Sequence, residues 1–275
     1  QQITIQLTRI LNEMGISHAA MEEPGYITVR NIFKDNGFVI TPVPVKADGI
    51  CIEKLPDNIR SVAYVSPSNQ FPTGAVMPIG RRRELLEWAY KNDSIIIEDD
   101  YDSELRYFGR PVPAMQGIDG GRCVVYLGSF SSTLFPSIKI SYMILPDKMA
   151  DIFQKIKSNY TQTCSKSEQL TLSLFMENGM YQTNIKKLRS LYSHKLQKTL
   201  TAISACGSDS VRAVNTSSGI NIILETDSAS AAEALCAKAA EMGLDVQLSG
   251  ENTLIFYYSR IPLEKTDKLI SQWLN

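Results

Sequence analysis

The residues of this chain best able to do chemistry gather between Ser94 and Tyr142. The first part reads SIIIEDDYDSELRYFG and the second, after a loop, RCVVYLGSFSSTLFPSIKISY. Glu98-Asp99-Asp100-Tyr101 offers a carboxylate and a phenol. Gly128-Ser129-Phe130-Ser131-Ser132 offers glycine, hydroxyls and the expected start of a helix, a combination that suits a phosphate.

Each cluster needs an element behind it. Ile95 to Ile97 and Cys123 to Leu127 are short apolar runs with the length and β-branched bias of buried parallel strands. In open α/β sheets a ligand lies just beyond the carboxyl ends of the strands, so both clusters are expected to face one pocket. Val62-Ala63-Tyr64-Val65 reads as a further buried strand. It opens into SPSNQFPTG, whose proline, glycine and serine are turn formers. A helix is expected from Arg81 to Tyr90, with Leu85, Leu86, Trp88 and Ala89 on its apolar stripe. Arg81, Arg82 and Arg83 at its start oppose the macrodipole and read as a solvated face or a dimer contact, not a nucleic-acid patch.

The flanking regions supply the rest of an α/β architecture. QLTRILNEMG predicts an amphipathic helix ending at Gly15, and Ala19 to Tyr26 a short strand and turn. A helix from Asn31 to about Gly37 precedes a strand over Phe38 to Val45, whose prolines suit an edge or a strand end. Helical patterns cover Asp147 to Asn159, Ser165 to Asn178 and Tyr181 to Ala205. In the last, Ile185, Leu188, Leu191, Tyr192, Leu196 and Leu200 recur at helical spacing, and this helix is expected to bridge two domains. Strands over 211–214, 219–224, 245–248 and 253–258 alternate with helices over 229–242 and 263–273. The expected partition is a large cofactor-binding-type domain over 1–150, incomplete at its N-terminus, bridging helices over 151–205, and a small α/β domain over 206–275.

A chain of 275 residues, 44% hydrophobic and 21% charged, buries a substantial core. A net charge of -1 gives no overall pull toward nucleic acid or acidic membranes, and the apolar runs are too short to span a bilayer. The five cysteines (Cys51, Cys123, Cys164, Cys206, Cys236) are scattered, without CxxC spacing. They read as reduced residues of a cytoplasmic protein. His18 and His194 stand far apart, which disfavours a histidine-based metal site.

Five segments, EEPGY, SPSNQFPTG, IIIEDDYDSE, GSFSSTLFPSIKISY and YQTNIKKLRSLY, resemble fold-type I pyridoxal 5'-phosphate (PLP) proteins in order and spacing. More narrowly, the chain resembles the aminotransferase-like effector domain of MocR/GabR-type bacterial transcriptional regulators of the GntR superfamily. That resemblance implies a mainly parallel large domain followed by a small α/β domain. It implies that Asp99 faces the pyridine nitrogen, Tyr101 the ring hydroxyl, and Ser129, Ser131 and Lys139 the phosphate. Asn69 would lie near the ring, where the family usually has histidine. Tyr26 reads either as a pocket residue or as an aromatic packing its own loop. Arg260, after a strand end, reads either as the grip on a substrate α-carboxylate or as a surface arginine.

Besides Asn69, two positions depart from the pattern. The family's Schiff-base lysine falls on Ser132, and its phosphate-binding arginine on Lys139. Serine has no amine, so no catalytic residue is assigned, and PLP is expected at most non-covalently. The expected function is an effector-sensing domain that takes PLP, or a PLP–amino acid ligand, in a homodimer. DNA would be reached only through a helix-turn-helix domain expected ahead of Gln1, which itself would follow the missing first part of the large domain. The alternatives are an active PLP-dependent aminotransferase of class I/II and a remnant that binds nothing and only dimerises.

Overall fold

The structure is a computed structural model that describes residues 1–107, 111–135, 137–206, 210–216 and 219–275. Its chain divides into two compact units. One comprises Gln1–Phe71, Ala75–Asp102 and Pro111–Asn178. The other comprises Pro72–Gly74, Ser103–Arg110 and Gly179–Asn275.

In the first unit the elements run α1 (Gln2–Glu13), β1 (His18–Glu23), α2 (Ile27–Asp35), β2 (Val39–Lys46), β3 (Gly49–Ile50) and β4 (Val62–Val65). They continue with α3 (Ile79–Lys91), β5 (Ile95–Asp100), α4 (Met115–Asp119), β6 (Val124–Ser129), β7 (Ser141–Ile144), α5 (Asp147–Ile156) and α6 (Lys166–Glu177). The seven strands form one sheet in the order β3-β2-β1-β4-β5-β6-β7. Pairing is parallel from β2 through β6 and antiparallel at the two edges. Burial explains the parallel centre. All four residues of β4 and the first four of β5 are buried, as strands covered on both faces must be. On β2, Pro42 and Pro44 sit one strand in from the edge, and only Val45 and Lys46 pair outward, with β3. The missing proline donors therefore cost no outer ladder. Leu7, Ile10 and Leu11 put one stripe of α1 into the same core as Ile95, Ile96 and Ile97.

The second unit holds α7 (Met180–Ala205), β8 (Val211–Val214), β9 (Ile222–Thr226), α8 (Ala229–Glu241), β10 (Val246–Leu248), β11 (Thr253–Phe256) and α9 (Thr266–Leu274). Its sheet is antiparallel throughout, in the order β10-β11-β9-β8. Phe256 and Trp273 meet in its core with ring centroids 4.9 Å apart, and the Trp273 indole donates to the Leu235 carbonyl at 2.9 Å. On α7, Ile185 and Leu196 are buried as the spacing predicts. Leu191, expected on the same stripe, is exposed.

Candidate functional site

Strand β5 delivers its polar end to both faces of the sheet, because side chains alternate along a strand. The four polar residues therefore do not share one pocket, contrary to expectation. Glu98, fully buried, accepts from the backbone N–H of Met115 and Gln116 at 3.0 Å each, and so caps the start of α4. Asp100 accepts from the Tyr126 phenol at 2.7 Å. Asp99 accepts a short hydrogen bond from the Tyr64 phenol. Burial pushes the Asp99 carboxyl up to about 6, although the Tyr64 hydrogen bond opposes the shift. Burial and the Asp99 charge raise the Tyr64 phenol well above its ordinary value, so Tyr64 keeps its proton and donates.

Glu98 explains the fate of the arginines on α3. Arg82 is completely buried and not part of a solvated face. Its guanidinium reaches Glu98 at 3.4 Å and donates at 3.0 Å to the carbonyls of Met77, Pro67 and Pro113. It thereby ties the loop after β4 and the start of α3 to the end of β5. Arg81 is spent on Asp48, Glu53 and Glu84, while Arg83 is exposed as expected.

Beyond β4, the buried Asn69 donates through its side chain to Asp102 at 2.7 Å, and its carbonyl accepts from the Tyr101 phenol at 2.7 Å. Tyr101 is thus turned onto the loop that carries Asn69. Beyond β1, the turn Pro24-Gly25 leads to Tyr26, which is half-exposed and meets Phe71 edge-on at 6.3 Å. Gly25 is required there: a Cβ would lie 2.3 Å from the Glu22 carbonyl oxygen, a backbone atom that cannot swing away. Gly25→Ala is expected to cost about 1–3 kcal/mol in urea unfolding, the usual penalty for overpacking. A loss below about 0.5 kcal/mol would show that the turn relaxes freely.

Among the described residues between β6 and β7 the expected helix is absent. One turn, closed by the Leu134 N–H to the Phe130 carbonyl at 3.0 Å, returns the chain to antiparallel β7. Pro136 of this segment lies outside the described residues. The Ser131 N–H donates to Ser129 Oγ at 3.3 Å, and the Ser131 hydroxyl donates to the Ile138 carbonyl at 3.1 Å. Ser132 follows in the same turn, partly buried, and Lys139 is exposed. Ser131, Lys139 and Tyr26 line one groove of about 1040 Å³. Asp99 lines neither this groove nor the second, small cavity that its partner Tyr64 shares with Tyr26. Arg260 belongs to the other unit, where it pairs with Asp245 and lies over the Tyr257 ring, 5.1 Å from its centroid.

The model of the family described as "Aminotransferase class I and II" matches residues 1–253. The chain belongs to that family. Among the relatives of this aminotransferase-family chain is "Uncharacterized HTH-type transcriptional regulator YdeL" of Bacillus subtilis (strain 168), 43% identical over 244 residues. That match covers 89% of this chain and 52% of the relative. "Probable rhizopine catabolism regulatory protein MocR" of Rhizobium meliloti is 40% identical over 183 residues, covering 66% of this chain and 37% of that protein. The chain thus spans about half the length, or less, of these curated relatives. A crystal structure of LysN, the α-aminoadipate aminotransferase of Thermus thermophilus, superposes with a TM-score of 0.81 at 23% identity. It covers 98% of this chain and 74% of its own, and was solved with N-(5'-phosphopyridoxyl)-L-leucine. The fold is that of the fold-type I PLP aminotransferases.

Within this aminotransferase-type sheet, three residues matter that motif reading passed over. Tyr64 holds Asp99, Glu22 puts a buried carboxyl near the end of β1, and Arg82 anchors the β4 loop. Two of them carried a visible signal. Tyr64 is a phenol inside an otherwise apolar strand, and Glu22 is a carboxylate two residues before a Pro-Gly turn. Arg82 carried none, since its two neighbours are also arginines.

Proposed function

We propose that this chain is the effector-sensing, aminotransferase-like part of a MocR/GabR-type transcription regulator that holds a PLP-type ligand without a covalent bond. One observation carries the reading. Asp99 and the Ser129–Ser131 hydroxyls stand at the carboxyl ends of neighbouring parallel strands, in register through Asp99↔Leu127 and Asp100↔Gly128. The side chains fit the group chemically. Ser129, Ser131 and the Lys139 ammonium suit a phosphate, and the Asp99 carboxylate, mostly ionised at neutral pH, suits a protonated ring nitrogen. Relatives named as HTH-type regulators support the regulator setting.

In this proposal Asp99 fixes the ring nitrogen, Tyr64 orients Asp99, and Tyr26 covers the ring from the loop after β1. Tyr101 and Asn69 shape the wall beside the ring hydroxyl. PLP, when bound, supplies an electron sink. Ser132 supplies neither an amine nor a proton shuttle, so the site recognises its ligand and does not turn it over. A second copy of the chain completes the regulator, and DNA contact belongs to a helix-turn-helix segment outside these residues.

The test has two arms. Pyridoxamine phosphate, which cannot form a Schiff base with a lysine, should bind saturably in a fluorescence titration, and Asp99→Asn should weaken it by tenfold or more, about the worth of one charge-assisted hydrogen bond. Transamination assays with amino acids and 2-oxo acids should stay far below about one turnover per second. Turnover at that rate would make the chain an aminotransferase, and no binding would leave the dimerising remnant.

A further inference from the structure

Glu22, the penultimate residue of β1, is 6% exposed and lies beside the Tyr64–Asp99 pair. Its Oε2 accepts from the Ser66 N–H at 3.3 Å and from the Gln70 side chain at 3.2 Å. Its Oε1 is buried with no hydrogen-bond partner. Both of these donors are neutral. Arg30, which lines the same small cavity as Glu22, pairs through Nη2 with Glu23 and gives Glu22 only a hydrogen bond to the backbone carbonyl, at 3.1 Å. Tyr26, Arg30, Tyr64 and Ser66 line the small cavity beside Glu22, about 10 Å³. An ionised carboxylate in this setting lacks a counter-charge, and it would stand next to the anion of Asp99.

We propose that Glu22 is a positioning residue that keeps its proton at neutral pH, so that Asp99 remains the one anion at this end of the pocket. This rests on the reading of Asp99 as the ring-nitrogen partner. As a neutral acid, Glu22 still accepts at Oε2 the Ser66 and Gln70 hydrogen bonds that hold the β4 loop, and its partnerless Oε1 no longer carries buried charge. Gln70 in turn donates to the carbonyls of Pro24 and Phe71, at 2.8 and 2.7 Å, which fastens the turn carrying Tyr26. A protonated Glu22 therefore aligns the loop walls without competing with Asp99 for a cationic ring. Burial is the main cause that pushes the Glu22 carboxyl up, to about 8, and the Asp99 charge adds to it. A carboxyl raised in this way favours the fold while protonated. Relative to Glu22→Gln, the parent should lose stability from about pH 4.5, the unfolded value, up to about pH 8, and run parallel above it.

The titration can be read without ligand, by NMR of protein carrying carbon-13 at the glutamate carboxyls, with Glu22 assigned through its backbone correlations. The expected midpoint lies near pH 8, and Asp99→Asn should lower it. A midpoint near 4.5, or one indifferent to Asp99→Asn, overturns the inference. Pyridoxamine phosphate binding then separates positioning from mere packing. Glu22→Gln, which mimics the neutral acid, should keep the affinity within about threefold, while Glu22→Ala should lose tenfold or more. Equal losses in both variants would overturn the role. If the parent binds no pyridoxamine phosphate while Glu22 titrates near 8 and follows Asp99, the cofactor reading falls and the proton assignment stands.

Discussion

A Ser132→Lys variant mixed with PLP should develop an absorbance band that borohydride abolishes, leaving a stable mass increase on the protein. The parent should show neither. The reasoning is geometric. Ser132 follows Ser131 in the turn after β6, and Ser131 lines the groove shared by Lys139 and Tyr26. Near the end of the neighbouring strand stands Asp99, oriented by Tyr64, which would hold the ring with its aldehyde toward that turn. A partly buried lysine amine there is desolvated, which lowers its pKa and supplies the free base that attacks the carbonyl and releases water. If the variant keeps its fold by circular dichroism and shows no band, the pocket has lost more than its lysine. A band in the parent would mean that another lysine, Lys139 first among them, already reaches the aldehyde.

Arg82→Ala should destabilise the protein by about 3–5 kcal/mol in urea unfolding, because it strips the counter-charge from the buried Glu98 carboxylate. The side chain also leaves three carbonyls, those of Met77, Pro67 and Pro113, without the guanidinium that now serves them. Burial already pushes the Glu98 carboxyl above its ordinary value, and removal of Arg82 pushes it further. A neutral Glu98 needs no counter-charge, so the deficit of the variant should shrink as pH falls. Arg82→Met combined with Glu98→Gln should recover part of the loss, since it removes both charges together. A deficit below about 1 kcal/mol for Arg82→Ala would show that the pair contributes no more than a surface ion pair. The consequence for function is local. Arg82 holds Pro67 at the head of the loop that carries Asn69 and Gln70, so its loss should also weaken ligand binding.

The mainly parallel α/β class and the central strands were legible in the sequence because both depend on short-range signals. Ile95 to Ile97 and Val62 to Val65 are apolar runs broken abruptly by polar residues, and such runs have little choice but to become buried strands. SPSNQFPTG and EEPGY announce turns through residues whose backbone preferences are local. Tertiary structure decided what depends on partners far along the chain. Arg82 looks like its neighbours until Glu98, sixteen residues on, is folded against it. A charged side chain enters a core only where a counter-charge and carbonyls await it, and no window around residue 82 contains them. The split of Glu98, Asp99 and Asp100 over two faces follows from the pleat, but which face meets Tyr64 is set by the pairing of β4 with β5. The turn after Ser129 failed as a helix for the same reason. Its hydroxyls and glycine permit a helix start, yet the pairing of β7 back onto β6 pulls the chain into a return loop. Motif reading could thus name Asp99 and Ser132. It could not see that Tyr64, thirty-five residues before Asp99, holds that carboxylate in place, because the contact exists only once two parallel strands lie side by side.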